Sequence, residues 1–235
     1  MERSGVITFL TDFGLSDAYV AMMKGVVLSI NRNVNLVDIT HNINIGSIIQ
    51  GAGILKDAYP YFPEATVHVA VVDPGVGSGR RLLAVKAAGH FFVGPDNGIF
   101  WPVINENPDA AIFELTEKSF FRSHVTRTFH GRDIIAPAAA HISLGIEIEK
   151  LGHKIFDPER LTIPQPCIKD NILKGEIVRI DNFGNLITNI TENTLANFSA
   201  GKTPVINVGD NKISGICKTY SDKDRGEFIA LINSS

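Results

Sequence analysis

The first part of the chain alternates between two hydrophobic patterns. Short apolar runs of strand length alternate with segments whose apolar residues recur every three to four positions, as in a doubly wound α/β fold. A helix capped by Ser16 or Asp17 is predicted after the first run, and a helix from about Ile45 to Tyr59 after the second. The pattern predicts an α/β N-terminal domain with a mainly parallel central sheet. The apolar runs are Val6 to Leu10, Val34 to Ile39 and Val67 to Val72.

The pattern changes after Arg81. A strand from about Leu82 and a hairpin turn at Gly89-His90 are predicted next, and a helix from Ile134 to Leu144 follows later. From Leu173 onward, short apolar runs separated by glycine and asparagine predict a smaller all-β, barrel-like domain. The predicted domains span 1–165 and 170–235, with a proline-containing linker between them. These short runs are Ile177 to Ile180, Leu186 to Thr188, Val205 to Val208 and Phe228 to Leu231.

The polar residues that follow the predicted parallel strands form a candidate site. Asp12, His41-Asn42 and Asp73 each come at the carboxyl end of a strand. In open α/β sheets, ligands bind beyond these strand ends. Position alone therefore predicts a ligand site at this edge of the sheet.

The loop after the third strand has two interpretations. Asp73 is followed by glycines at 75, 77 and 79 and then by Arg80. This spacing imitates the nucleotide-binding turn of a class I methyltransferase, in which a helix must follow the glycines at once. The residues after Gly79 favour a strand instead. A strand from about Leu82 excludes the methyltransferase interpretation.

The other interpretation is a charged active-site loop. Asp73 and Arg80 can pair, which orients the carboxylate, and His130 can accept or relay a proton near neutral pH. Each residue also has a simpler role open to it: Asp73 as a turn cap, Arg80 as a solvated cation, and His130 in a structural hydrogen bond. Their joint placement near one sheet edge favours catalysis.

Three further acids and one amide are candidates for substrate binding. Asp12 suits a ribose diol, because a carboxylate accepts both hydroxyl protons. Asp17 is either a helix cap or a ligand contact. Asp181 and Asn185 lie in a stretch that is either a plain hairpin turn or a binding site for a polar zwitterion.

Composition narrows the classes of function. The net charge of -3 gives no electrostatic reason to expect nucleic acid or a membrane surface as partner. Two cysteines without a CxxC pair fit a reducing cytosol. No metal-ligand spacing occurs among His68, His90, His141 and His153. We expect a cytoplasmic protein with no metal site, no signal peptide at Met1 to Gly5 and no membrane span.

Six motifs occur in the order found in the S-adenosyl-L-methionine hydroxide adenosyltransferases, relatives of the fluorinase and chlorinase enzymes, and the chain resembles this family. The resemblance runs from residue 7 to about residue 190. The motifs are Thr11-Asp12-Phe13-Gly14 with Asp17, Asp38-Ile39-Thr40-His41, Val72 to Gly77 with Arg80-Arg81, Gly94 to Gly98, Phe129 to Asp133, and Asp181 to Asn189.

The resemblance implies hydrolysis of S-adenosyl-L-methionine to adenosine and L-methionine, by attack of water or hydroxide at the ribose 5′ carbon. It implies a homotrimer with active sites between subunits and no cofactor. It also implies catalytic roles for Asp73, Arg80 and His130. By the same resemblance, the substrate contacts are Asp12 at the ribose, Asp181 and Asn185 at the methionine end, and also Asp17 and Phe129.

Two departures from the halogenase branch favour hydroxide transfer. The fluorinase has an aromatic residue in place of Asp73, and it has a halide-binding serine where this chain has Gly131. The Asp73 carboxylate repels an anion and orients a water.

Members of the family also continue past Ser235 with residues that enclose the adenine. We therefore expect that a closing strand is missing there. A non-catalytic adenosine-binding protein is the third hypothesis.

Overall fold

The computed structural model describes residues 3–233. The chain divides into two compact units: unit 1, Met1–Thr162, and unit 2, Ile163–Ser235. The predicted domain ranges, 1–165 and 170–235, stay predictions. The expectations about Met1-Glu2 and about a strand beyond Ser235 concern positions outside the described residues.

One mixed sheet of seven strands organises the described part of unit 1. Its strands are β1 (Val6–Thr11), β2 (Asn35–Thr40), β3 (Val67–Val71), β4 (Leu82–Ala87), β5 (His90–Pro95), β6 (Ala111–Glu114) and β7 (Lys154–Ile155). Their order is β2-β1-β3-β5-β4-β6-β7. The first four strands in this order pair in parallel, and the remaining pairs are antiparallel. The predicted α/β fold is confirmed, and its sheet is parallel in the half that carries the candidate site.

Helices cover both faces of this sheet because alternate strand residues point to opposite sides. Phe9 packs in a buried cluster with Met23 of α1 and Ala139 of α4. The next residue, Leu10, belongs to a second cluster with Leu55 of α2 and Val103 of α3. The carboxyl ends of β1, β2 and β3 therefore open between two helical layers. The helices are α1 (Tyr19–Ile30), α2 (Ile48–Ala58), α3 (Trp101–Glu106) and α4 (Ala136–Ser143).

Unit 2 is rich in β-structure, as predicted, and its described residues form three two-stranded antiparallel sheets. The predicted strand at Phe228 to Leu231 is wrong, because only a single bridge between Cys217 and Leu231 forms there. Sequence reasoning missed helix α5, which Thr191 caps by accepting from Thr194 N. The elements of unit 2 are β8 (Cys167–Lys169), β9 (Ile172–Lys174), β10 (Ile177–Ile180), β11 (Leu186–Thr188), α5 (Glu192–Ser199), β12 (Val205–Val208) and β13 (Asn211–Ser214).

Across residues 3–233, no helix combines the length and hydrophobicity needed to cross a membrane. The same range contains no group of three or more histidine, cysteine, aspartate or glutamate side chains arranged to hold a metal ion.

A buried histidine pair makes the stability of unit 1 dependent on pH. His68 contacts Thr8 Oγ1 at 2.8 Å and His90 Nδ1 at 3.2 Å, and burial with the neighbouring His90 lowers its pKa to about 3. The neutral imidazole is favoured in the folded state, so its contribution is complete above the unfolded pKa of about 6.5 and is lost as the pH falls toward 3. We expect a loss of roughly 2 kcal/mol at pH 5.

Urea unfolding at pH 7 and pH 5 measures this loss. His68→Gln removes the titrating group, so the pH dependence of its free energy of unfolding should be shallower than that of the wild type. His153→Gln replaces a histidine that is 63% exposed and should leave the wild-type slope intact. Equal slopes for all three proteins would contradict the assignment to His68.

Candidate active site

The loop that follows β3 carries a buried ion pair. Arg80 Nε donates to Asp73 Oδ1 at 2.7 Å and to Oδ2 at 2.9 Å, and Nη2 of the same guanidinium also donates to Oδ2. Both side chains are almost completely enclosed, with exposed fractions of 6% for Asp73 and 9% for Arg80. Parallel N–H···O bonds fix the orientation of both groups. The structure therefore brings Asp73 and Arg80 together.

His130 joins this pair from another part of the chain. Arg80 Nη2 lies 3.1 Å from His130 Nδ1. Because a guanidinium has no acceptor, Nδ1 must accept this bond, and the ring proton belongs on Nε2. Burial, reinforced by the Arg80 charge, lowers the pKa of His130. The ring is therefore neutral near pH 7 and presents an N–H through Nε2.

A π-helical turn, Gly131–Ile135, begins directly after His130. Such turns are rare and frequently lie at functional sites. Within it, the fully buried Asp133 accepts from Arg132 Nε at 2.6 Å and from Thr126 N and Oγ1 at 2.8 and 2.7 Å. Burial opposes ionisation, but these donors hold the pKa of Asp133 well below its usual range. Asp133 therefore anchors the π-helical turn that follows His130 to the loop that contains Thr126.

Gly77 lets the loop after Asp73 pack closely against the backbone at Arg127. Its φ is +82°, and a Cβ at this position would lie 2.8 Å from the carbonyl oxygen of Arg127. Gly75 and Gly79 have no positive φ, and a Cβ at Gly79 would meet no atom within 4 Å. Of the three glycines in this loop, Gly77 is the one that the backbone conformation requires.

Gly77→Ala should therefore disturb the loop, whereas Gly79→Ala serves as its matched control. The left-handed conformation costs a non-glycine residue about 1–2 kcal/mol, and the contact with Arg127 adds to this cost. Thermal unfolding of both variants, with turnover measured beside it, checks the expectation. Equal stability and turnover of the two variants would contradict the role of Gly77.

Asp12 follows β1 directly and lies at the same edge of the sheet. Its Oδ2 accepts the Gly46 N–H at 2.9 Å, and a Cβ at Gly46 would touch Pro74 Cβ at 3.9 Å. The loops after β1, β2 and β3 therefore meet. Asp12 also lines an open depression of about 520 Å³ together with Phe13, Gly14 and residues 41–45.

An aromatic cluster links the Asp12 turn to the His130 turn. The ring of Phe129 packs edge-on against Phe13, with centroids 5.9 Å apart, and against Tyr19 at 5.3 Å. Phe129 is also the residue that precedes His130 in the chain. Its packing brings the end of β1 close to the turn that carries His130.

Asp17 makes none of the contacts described above. Its side chain is exposed, and it forms no hydrogen bond or ion pair with any residue in the range 3–233. The predicted helix cap at Ser16 or Asp17 is wrong, because α1 begins at Tyr19 and the residue before it, Ala18, offers no side-chain cap. The role of Asp17 as a substrate contact stays a prediction.

Asp181 and Asn185 lie together in unit 2, in the turn between β10 and β11. Asp181 Oδ1 accepts from Phe183 N and Asn185 N, both at 2.9 Å, and Oδ2 accepts from Asn185 Nδ2 at 2.7 Å. The hydrogen bond from the Asn185 side chain is the largest of the contacts that lower the pKa of Asp181. Asp181 thus organises the turn, while Asn185 Nδ2 also contacts Tyr220 Oη at 3.2 Å.

The sequence interpretation missed a second polar network behind Asp12. Thr11, His41 and Asp38 connect the end of β1 with the end of β2. His41 falls at a predicted strand end, which was the available signal, but nothing in the spacing showed that it contacts Thr11. The role of Asp133 was missed because the segment that contains Thr126 had no clear pattern.

The strand β4 (Leu82–Ala87) decides between the two interpretations of the glycine loop. A methyltransferase turn requires a helix beginning near Gly79, and no helix is present there among the described residues. β4 also pairs antiparallel with β5, which is incompatible with the parallel βαβ unit of that fold. The methyltransferase interpretation is therefore wrong.

Comparisons with known proteins agree with the geometry. The (R)-S-adenosyl-L-methionine hydrolase of Methanocaldococcus jannaschii is 37% identical over 240 residues, covering 97% of this chain and 85% of that protein. The hydrolase of Salinispora tropica is 38% identical over 183 residues, covering 77% and 70%. The fluorinase of Actinopolyspora mzabensis is 28% identical over 223 residues, covering 83% and 75%.

A solved structure and two family models complete the comparison. The crystal structure of an uncharacterized conserved protein from Thermotoga maritima superposes with a TM-score of 0.90 at 34% identity, covering 97% of this chain and 89% of that one. The model of the SAM hydroxide adenosyltransferase N-terminal domain matches residues 7–152, and that of the C-terminal domain matches residues 175–235. The chain belongs to the SAM hydroxide adenosyltransferase family.

Proposed function

We propose that this protein hydrolyses (R)-S-adenosyl-L-methionine to adenosine and L-methionine. The observation that carries the proposal is the buried contact of Asp73, Arg80 and His130 at the sheet edge where Asp12 also lies. Family membership supports the same reaction, because relatives at 35–38% identity are named hydrolases of this compound. The (R) configuration at sulfur is taken from the names of those relatives.

The reaction is a displacement at the ribose 5′ carbon. A water oxygen forms the new bond to this carbon while the carbon–sulfur bond breaks, and its electron pair neutralises the sulfonium. One proton leaves the water for each turnover. Since the sulfonium is already a good leaving group, the protein needs to position and partly deprotonate the water. We propose that the reaction uses no cofactor or metal.

Asp73 is the group best placed to orient the water and to take its proton. Oδ2 of Asp73 accepts two N–H bonds from Arg80, whereas Oδ1 accepts one, at 2.7 Å. Each carboxylate oxygen has two lone pairs, so Oδ1 keeps capacity for a further donor. The Nε2–H of His130 can donate to the oxygen of the same water. In this arrangement His130 positions the nucleophile and does not act as its base.

The same geometry favours water over a halide ion. The Asp73 carboxylate repels an anion, and Gly131 offers no hydroxyl to bind one. A side chain at position 131 would approach Met23 Sδ to 3.2 Å, so a serine there requires Met23 to move. We therefore propose hydroxide transfer rather than halogenation, and chloride added to the reaction should yield no halogenated nucleoside.

We propose the following contacts for the rest of the substrate. Asp12 binds the ribose hydroxyls from the depression that it lines. Phe129 packs beside the reacting carbon. Asn185 contacts the methionine end, and Asp181 holds the turn that presents it. Asp17, whose carboxylate is exposed, is proposed as a further substrate contact.

We also propose a homotrimer in the cytoplasm, with active sites between subunits. The packing of unit 2 supports an assembly: its described residues bury one hydrophobic side chain, Ile213, while Ile180, Phe183 and Phe228 are more than half exposed. A unit with so few buried apolar groups needs a further surface to cover it. Light scattering after size-exclusion chromatography measures the subunit number, and a monomer would overturn this part.

The proposed reaction is tested by product analysis. Purified protein is incubated with the (R) and (S) epimers separately, and adenosine, L-methionine and S-adenosylhomocysteine are quantified by chromatography. Equal amounts of adenosine and methionine from the (R) epimer are expected. S-adenosylhomocysteine would indicate methyl transfer, and tight adenosine binding without turnover would favour the non-catalytic binding protein.

A further inference from the structure

His41 lies at the junction between the ends of β1 and β2 and belongs to none of the catalytic groups described above. It is 4% exposed, and it lines the same depression as Asp12. Its Nδ1 is 2.8 Å from Thr11 Oγ1. Its Nε2 is 3.0 Å from Asp38 Oδ1 and has no hydrogen-bond partner among the described residues. A buried imidazole is thus held between a hydroxyl and a carboxylate.

These contacts assign the proton on His41. The negative charge of Asp38, 3.0 Å from Nε2, favours the tautomer with the hydrogen on Nε2, which leaves Nδ1 as the acceptor. Thr11 then donates its hydroxyl proton to Nδ1, while its oxygen accepts the Phe13 N–H at 3.2 Å. Lys24 fixes Asp38 from the outside with a 2.6 Å ion pair. The chain of contacts runs from Lys24 to the turn that contains Asp12.

This chain braces the Asp12 turn at its two ends. On one side, Phe13 N is held by Thr11, and Gly14 N donates to the backbone oxygen of His41 at 2.8 Å. On the other side, Asp12 Oδ2 receives the Gly46 N–H. The direction in which the Asp12 carboxylate points therefore depends on residues 11–14, which His41 contacts through both side chain and backbone.

The arrangement of Thr11, His41 and Asp38 has the order of a hydroxyl nucleophile, its base and an orienting acid. It cannot act in that way in this fold. Thr11 is completely buried within β1, and its hydroxyl oxygen already accepts the Phe13 N–H. These three side chains therefore hold the turn at residues 11–14 in place, and they affect a ligand only through Asp12.

We propose that His41 is a positioning residue that aims Asp12 at the ribose and thereby makes the site select ribonucleosides over nucleosides without the 2′ and 3′ hydroxyls. The inference rests on the proposed binding of an adenosine moiety at Asp12. It deepens that function by naming the residue that sets selectivity for the sugar.

Two substitutions separate the two contacts of His41. In His41→Asn the amide reaches the position of Nδ1 and keeps the contact with Thr11, while the contact with Asp38 is lost. In His41→Gln the longer amide reaches the position of Nε2, so the contact with Thr11 is lost instead. If His41 acts through Thr11 on the Asp12 turn, the asparagine variant should retain the selectivity that the glutamine variant loses.

The experiment measures binding of adenosine and of 2′,3′-dideoxyadenosine to the full chain by titration calorimetry. The wild type should prefer adenosine at least about tenfold, since hydrogen bonds to a charged group are worth that much. His41→Asn should keep most of this ratio. His41→Gln should lower the affinity for adenosine toward that for the dideoxynucleoside, while leaving the affinity for the dideoxynucleoside within about threefold.

Controls distinguish positioning from general damage. His153→Gln alters an exposed histidine that also faces a carboxylate, Glu114 at 3.3 Å, and should bind as the wild type does. Asp12→Asn should remove the ratio directly. Melting temperatures of the two His41 variants are recorded beside the titrations, because a purely structural role predicts that both nucleosides lose affinity equally.

Several outcomes would overturn the inference. These are a wild type with no preference for adenosine, a His41→Gln protein that keeps the ratio, and equal loss of both ligands in the two His41 variants. Hydrolysis of S-adenosyl-L-methionine is assayed on the same samples. If the ratio behaves as expected but no hydrolysis occurs, the proposed reaction is wrong while the role of His41 stands.

Discussion

Asp73→Asn is expected to lower kcat about 100-fold or more, which is the range of positioned proton acceptors. The amide keeps the shape of the side chain but cannot take a proton from the attacking water. The neutral amide also forms weaker hydrogen bonds with Arg80, and Arg80 Nη2 contacts His130 Nδ1 at 3.1 Å. KM should change less than kcat, because the lost interaction develops as the water is deprotonated.

The adjacent arginine provides a matched control. Arg81 pairs with Asp96 in the same manner, with Nε at 2.8 Å from Oδ2, and the Asp96 side chain is 3% exposed. Asp96→Asn therefore removes an equally buried carboxylate from an arginine of the same loop. It should cost stability and leave kcat close to the wild-type value. A similar loss of kcat in both variants would contradict the assignment of Asp73.

Of the substitutions proposed for this protein, Asp133→Ala should lower the free energy of unfolding the most. It leaves the half-buried donors of Thr126 and the partly exposed guanidinium of Arg132 without their shared, fully buried acceptor. Hydrogen bonds to a charged group are worth about 1.5–3 kcal/mol each, so losing several at once, with arginines that stay partly solvated, should cost about 3 kcal/mol. For a unit of this size that corresponds to a fall of the melting temperature by roughly 10 °C, measurable by calorimetry.

The exposed pair of Lys56 and Glu106 is the control for this change. Glu106→Ala removes a carboxylate whose partner stays solvated, so the free energy of unfolding should change by less than about 1 kcal/mol. If Asp133→Ala unfolds at the temperature of Glu106→Ala, Asp133 does not anchor the turn that follows His130.

Much of unit 1 follows from the sequence because strands such as β1 and β3 are buried on both faces, which leaves a strong local signal. The apolar runs of β1, β2 and β3 are bounded by polar residues, so their carboxyl ends are visible in the sequence. The strand at Leu82 is recognisable because the residues after Gly79 lack a helix cap. Pairing of Asp73 with Arg80 was predictable because both lie in one short loop.

Features that depend on distant contacts were not predictable. Whether His130 serves as base or as donor depends on the nitrogen that faces Arg80, and no spacing in the sequence encodes that orientation. Asp17 looked like a cap because it precedes a helix, but the helix begins two residues later, at Tyr19. In unit 2, short polar-rich segments carry weak signals, so α5 was missed and a strand at Phe228 was predicted in error.

The central claim is that water attacks the 5′ carbon of the ribose. Hydrolysis in H2¹⁸O, followed by mass spectrometry of the products, tests this claim most directly. The account predicts one ¹⁸O atom in the 5′ hydroxyl of adenosine and none newly incorporated in L-methionine. Unlabelled adenosine, or label in a product cleaved on the amino-acid side of the sulfur, would contradict it.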